Sequence, residues 1–138
     1  MVSRMSERVP AIKVLVLPKD TNAYGTIFGG VILSNIDLAS AVEARKVAAC
    51  RYVTKAMHEV EFHAPVFVGD VVSFYAETVR VGRTSITVKV SVVAERWGGG
   101  DRSQARGAQV MVTEAEVILV SVDDQGRPTP IHPEPMQA

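Results

Sequence analysis

An alanine-rich helical stretch followed by four long alternating segments constrains this chain more than any other feature. Residues 31–50 carry a run of alanines, and Ile32, Ile36, Val42 and Val47 keep most faces apolar. That pattern predicts a helix buried on several sides. Beyond Arg51 the period changes. Residues 52–62, 70–81, 84–95 and 109–122 are β-branched and alternate between apolar and polar. Such lengths exceed the usual strand of about 5–6 residues, so the sheet is expected to curve strongly, around the helix. Residues 11–17 add a short first strand stopped by Pro18. The expected order is strand, long helix and four meandering strands. This is an α+β layer whose sheet edge and outer face stay open to a partner.

A chain of 138 residues fits one domain. It is expected over residues 8–130, with tails at 1–7 and 131–138. Pro128, Pro130, Pro133 and Pro135 exclude a regular terminal element. Lysine plus arginine total 15 and aspartate plus glutamate total 15, so charge makes no case for nucleic acid or an anionic membrane. No apolar run of about 20 residues can cross a bilayer, and the first ten residues lack the apolar core of a secretory signal. The expected compartment is the cytoplasm. Cys50 is the only cysteine, which excludes an internal disulfide and a cysteine-based metal cage.

Asp37 is the first candidate for chemistry. It shares a helix face with Leu33, Ala41 and Ala44, and an aspartate is costly to bury unpaired. Partial burial suits a general base; a carboxylate satisfied by a backbone N–H, or exposed at the helix edge, is the plainer alternative. Phe28-Gly29-Gly30 opens directly into the helix, where free N–H groups and the dipole favour negative charge. That is how an oxyanion hole is built, although paired glycines also serve a sharp loop-to-helix entry. Gly30 and Asp37 lie about 10 Å apart along the axis, so another strand or a second subunit must bring the reacting groups together. Asn22 offers a carboxamide in the same loop, or simply forms a turn. Gly82-Arg83-Thr84-Ser85 places a cation and two hydroxyls at a tight hairpin, a clamp for phosphate or a solvated tip. Residues 97–102 form a looser tip. Thr54, His58, Val60 and Phe62 are expected on one face of their strand, with Lys55, Met57, Glu59 and Glu61 on the other. His58 and His63 then point apart, which argues against a shared metal.

These motifs together resemble the hotdog-fold acyl-CoA thioesterases of the YciA-like group. The likeness rests on Pro18, Asp20-Thr21-Asn22, Gly25, Phe28-Gly29-Gly30 and Ile36-Asp37. It continues through Arg51, Val53-Thr54, Phe62, Pro65-Val66, Val68-Gly69-Asp70, Gly82, Thr84-Ser85 and Thr113-Glu114-Ala115. Val122-Asp123, Gly126 and Pro128 complete it. It spans residues 17–130, and His58 stands where relatives often carry an acid.

The resemblance implies a long central helix wrapped by a curved antiparallel sheet, with two subunits joined edge to edge. It implies hydrolysis of acyl-CoA to free coenzyme A and a carboxylic acid, with no cofactor and no metal. It implies a homodimer as minimal unit, assembled as a trimer of dimers. Asn22 of one subunit and Asp37 of the other would form the catalytic pair, and Gly30 would donate its N–H to the thioester carbonyl beside Gly29. The coenzyme A nucleotide would lie near Gly82, Arg83, Thr84 and Ser85, with Thr54 along the pantetheine path. A non-catalytic acyl-CoA-binding module is the alternative, as is another hotdog enzyme such as a hydratase or dehydratase. The latter usually needs a histidine in the pocket, and none lies in the helix-start loop or on the helix.

Overall fold

The computed structural model describes residues 8–97 and 105–132. Five strands and one long helix follow in the order β1 (Ile12–Leu15), α1 (Gly29–Val47), β2 (Arg51–His58), β3 (Val71–Val81), β4 (Ser85–Arg96) and β5 (Ala108–Val122). They form one antiparallel sheet in the order β1-β3-β4-β5-β2. Only β3, β4 and β5 meander, so the expectation of four meandering strands needs correction. Residues 59–70 carry the chain from β2 at one edge to β3 near the other.

The helix begins two residues earlier than expected and stops before Cys50. Phe28 is its extended N-cap, and at the far end Ala48 returns to extended backbone. The Tyr52 hydroxyl donates to the Ala48 carbonyl at 3.0 Å, beside the Cys50 N–H at 2.9 Å, and together they satisfy the helix end. Burial pushes the Tyr52 phenol above its ordinary value, with Cys50 beside it adding to the shift.

Ile32, Ile36, Ala39, Ser40 and Ala44 form the buried stripe of α1. It packs on Val72, Phe74, Ile86, Val88, Val90, Val117 and Leu119 from the sheet's inner face. Truncating a side chain such as Ile36 would cost about 2–5 kcal/mol. Glu43 ties helix to sheet by accepting the Thr78 hydroxyl at 3.0 Å. Leu33, Leu38 and Val42 are exposed. In a single chain the helix is therefore buried along one stripe, not on several sides.

Beyond β5 the chain turns at residues 123–127 and comes back along the sheet. Asp123 Oδ1 accepts the N–H groups of Gln125 and Arg127, each at 2.9 Å. Thr129 then donates to the Ser121 carbonyl, and Ile131 to that of Arg83. Ile131 joins the core. The domain therefore reaches past residue 130, because the proline-rich segment is a strap with an apolar anchor. Residues 1–7, 98–102 and the last prolines lie outside the described residues.

Candidate active site

A tight loop leads into α1. A short 3₁₀ turn, Pro18–Asp20, opens it. Asp20 accepts the Leu17 N–H at 3.0 Å and the Lys19 ammonium at 2.9 Å. That backbone bond first, and Lys19 second, hold its carboxyl below the usual carboxylate range. The Asp20 carbonyl takes the Phe28 N–H at 2.7 Å, closing the loop at its base.

Asn22 organises the tip. Its Oδ1 accepts the Tyr24 N–H at 2.8 Å, and its Nδ2 lies 3.0 Å from Thr26 Oγ. Gly25 takes the left-handed φ of 83° that such a turn needs. The turn-forming role expected for asparagine is therefore real, and the Asn22 side chain bonds within its own loop.

At the helix entrance no side chain caps the first turn. Helical geometry leaves the Gly30 N–H without an acceptor inside the helix. A Cβ on Gly30 would lie 3.3 Å from the Phe28 ring, tighter than an ordinary contact. Gly30 is exposed, so a ligand oxygen can reach this end.

Asp37 lies two turns further on, half-buried, and its Oδ1 accepts the Thr54 hydroxyl at 2.5 Å. The family resemblance implied only a place for Thr54 along the pantetheine path; its bond to Asp37 carries no mark in the sequence pattern. The register of β2 on β5 shifts between Thr54 and Ala56. Thr54 and Met57 consequently both reach the helix side, which overturns the simple alternation expected for this strand.

The hairpin candidates sit at the same end of the sheet. Thr54 pairs with Leu119, and Leu119 with Ile86, next to Ser85. The hairpin is thus level with Thr54 and two strands away, roughly 10 Å. The Gly82 N–H donates to the Ser85 carbonyl at 2.7 Å. A Cβ on Gly82 would meet Ser85 Oγ at 3.0 Å, so the glycine answers a close approach. The Arg83 side chain is exposed.

The geometry joins Asp37 to Thr54, sets the open helix end two turns away and places Arg83 across the sheet. No hydrogen bond among the described residues joins Asn22 to Asp37. A further buried pair supports the loop from behind. Arg96 contacts Asp70 at 2.6 Å, and the Phe67 N–H donates to the same carboxylate at 2.9 Å. Thr26 forms a bridge to Phe67, and the Ile27 N–H donates to the Val66 carbonyl. Periodicity carried no sign of this pair, since Asp70 and Arg96 stand at element ends.

The histidines need a second correction. The strand does not run straight from His58 to His63, because Glu59 adopts φ 55° and breaks the ladder. Both histidines line one open cavity of about 580 Å³, with Glu59, Glu61, Glu114 and Lys89. This cavity contains none of the candidate residues. Among the described residues, no three His, Cys, Asp or Glu side chains gather to hold a metal ion. No described helix is long and apolar enough to cross a membrane.

Residues 24–97 match the thioesterase superfamily. An uncharacterized acyl-CoA thioester hydrolase of Haemophilus influenzae is 41% identical over 124 residues, covering 90% of this chain and 78% of that protein. The acyl-CoA thioester hydrolase YciA of Salmonella typhimurium is 40% identical over 120 residues, 87% of each chain. A hexameric hotdog fold thioesterase of Campylobacter jejuni superposes with a TM-score of 0.80 at 46% identity, covering 89% of this chain and 90% of that one. A hexameric broad specificity acyl-coenzyme A thioesterase gives 0.81 at 40% identity, covering 90% and 81%.

Proposed function

This chain belongs to the thioesterase superfamily, and we infer that it hydrolyses acyl-CoA to a carboxylic acid and free coenzyme A. The observation that carries this reading is the Asp37 carboxylate, held by Thr54 two turns from an uncapped helix N-terminus. The thioester carbonyl accepts the Gly30 N–H, beside Gly29. Negative charge develops on that oxygen, where one well-aimed donor is worth roughly 3–4 kcal/mol. Thr54 engages Oδ1 of Asp37, leaving Oδ2 to take a proton from the attacking water. The coenzyme A thiolate is a good leaving group and departs without a strong general acid. The nucleotide half lies against Gly82, Arg83, Thr84 and Ser85.

The enzyme works as a homo-oligomer, with a dimer as minimal unit and a trimer of dimers as the assembly. Support comes from β2, which has a neighbour on one side only, and from the exposed Leu38 and Val42 of α1. The hexameric relatives agree with it. Asn22 then acts on the site of the partner subunit, which accounts for its separation from Asp37. Hydrolysis by this route requires no cofactor, and the proposed compartment is the cytoplasm.

Thiol release from acyl-CoAs of graded chain length tests the activity. Asp37→Asn should abolish turnover with folding and coenzyme A binding intact; near-normal kcat in that variant would sink the assignment. Mixing inactive Asn22→Ala and Asp37→Ala chains should restore part of the activity through heterodimers. No recovery, with subunit exchange confirmed, would rule out the shared site.

A further inference from the structure

We propose that Thr26 is a positioning residue that locks the Asn22 carboxamide in one orientation, so that Asn22 serves the reaction only as a hydrogen-bond donor. The inference rests on the reading of Asn22 as part of the active site. It starts from a constraint of chemical type: a backbone N–H can donate but never accept. The Tyr24 N–H lies 2.8 Å from one end of the Asn22 amide, and the Thr26 N–H 3.4 Å from the same end. That end must be the oxygen. The other end is then the NH₂ group, 3.0 Å from Thr26 Oγ, which accepts one of its two hydrogens. Rotating the amide by half a turn would set NH₂ against the Tyr24 and Thr26 N–H groups and lose both backbone contacts, while the Thr26 hydroxyl, also 3.3 Å from Oδ1, holds the carboxamide in place.

One N–H of Asn22 remains outside the Thr26 contact. It has donor character only, so it matches an oxyanion, a carbonyl oxygen or a lone pair of water. It cannot accept a proton from the nucleophile, which leaves that task to Asp37.

Thr26 is a firm reference for this lock because its own backbone is tied on both sides. Its carbonyl accepts the Asn22 N–H at 2.8 Å. It forms a bridge to Phe67, whose N–H is held by the buried Asp70. The hydroxyl is therefore fixed by the fold and not by the substrate.

The experiment compares four variants in the intact oligomer, reading kcat and KM for acyl-CoA and the melting temperature. Thr26→Val should lower kcat about tenfold, move KM less than twofold, and leave folding intact; Thr26→Ser should restore kcat. Asn22→Asp keeps an oxygen for both backbone N–H groups but has no amide hydrogen to donate. It should melt like the wild type and lose kcat by a hundredfold or more. If Asn22→Ala is inactive while Thr26→Val and Asn22→Asp turn over normally, the lock and the donor role are both overturned and the active-site reading stands. If Asn22→Ala itself turns over normally, the reading beneath the proposal falls first. Should Thr26→Val fail to fold, Asn22→Asp still decides the donor role, and retained kcat there overturns it.

Discussion

Replacing Thr54 by valine removes one oxygen and leaves the shape, the β-branching and the place in β2 unchanged. What is lost is the 2.5 Å hydrogen bond to Asp37 Oδ1. A hydrogen bond to a charged group contributes about 1.5–3 kcal/mol. Thr54 is exposed and Asp37 half-buried, so water competes for the carboxylate and the lower end applies, about 1.5 kcal/mol. If the bond aims Asp37 at the attacking water, that loss falls on the transition state, and kcat drops about tenfold. The bond also exists in the folded chain, so stability should fall by no more than about the same 1.5 kcal/mol, which leaves the enzyme folded at the assay temperature. The assay is thiol release at saturating acyl-CoA, with kcat and KM read separately and Thr54→Ser run alongside to restore the bond. A double-mutant cycle closes the test: in an Asp37→Asn background, Thr54→Val should subtract almost nothing more from the residual rate. A kcat within twofold of wild type would refute the reasoning. So would the same tenfold loss in both backgrounds.

Two further predictions concern the scaffold. Arg96→Met strands Asp70, whose Oδ1 already has no hydrogen-bond partner among the described residues. Breaking a buried pair in this way costs about 3–5 kcal/mol, and in a domain of this size the melting temperature should fall about 10–15 °C at fixed protein concentration; a drop under 3 °C would contradict the burial argument. Asp20 has a folded-state carboxyl below the ordinary value of about 3.9, so its contribution to stability is complete above that pH and is lost as pH falls through the lower folded value. The melting gap between wild type and Asp20→Asn should be constant above pH 5 and close below pH 4; a gap independent of pH would remove Asp20 from the account.

The helix and three of the four long strands were legible because their apolar periods are long and uninterrupted. Strand order was not. Alternation fails on β2 beyond Thr54 and says nothing about which neighbour the strand joins, and the chain passes β5 and β4 before forming β3. Thr54 reaches Asp37 from the face it shares with Tyr52, and the shift after Thr54 turns Met57 to the same side, which an alternation rule cannot carry. Residues 131–138 read as a tail because prolines exclude ladders, yet Ile131 alone suffices to anchor the strap that precedes it. Asn22, Gly30 and Asp37 were visible from the loop-to-helix motif. Thr26 and Arg96 were not, because their importance lies in what they touch, and Asp70 stood out only as part of the family likeness.

Strand β2 has consequences for how such an enzyme is lost. It pairs with β5 on one side alone and carries Thr54. Edge strands open at lower free energy than the middle of a sheet. In a lone chain, deuterium should enter the β2 amides well before those of β4, at protein concentrations where the far-ultraviolet spectrum is unchanged. Dilution would then silence the catalyst while its core stayed folded, and reconcentration would bring it back without any refolding.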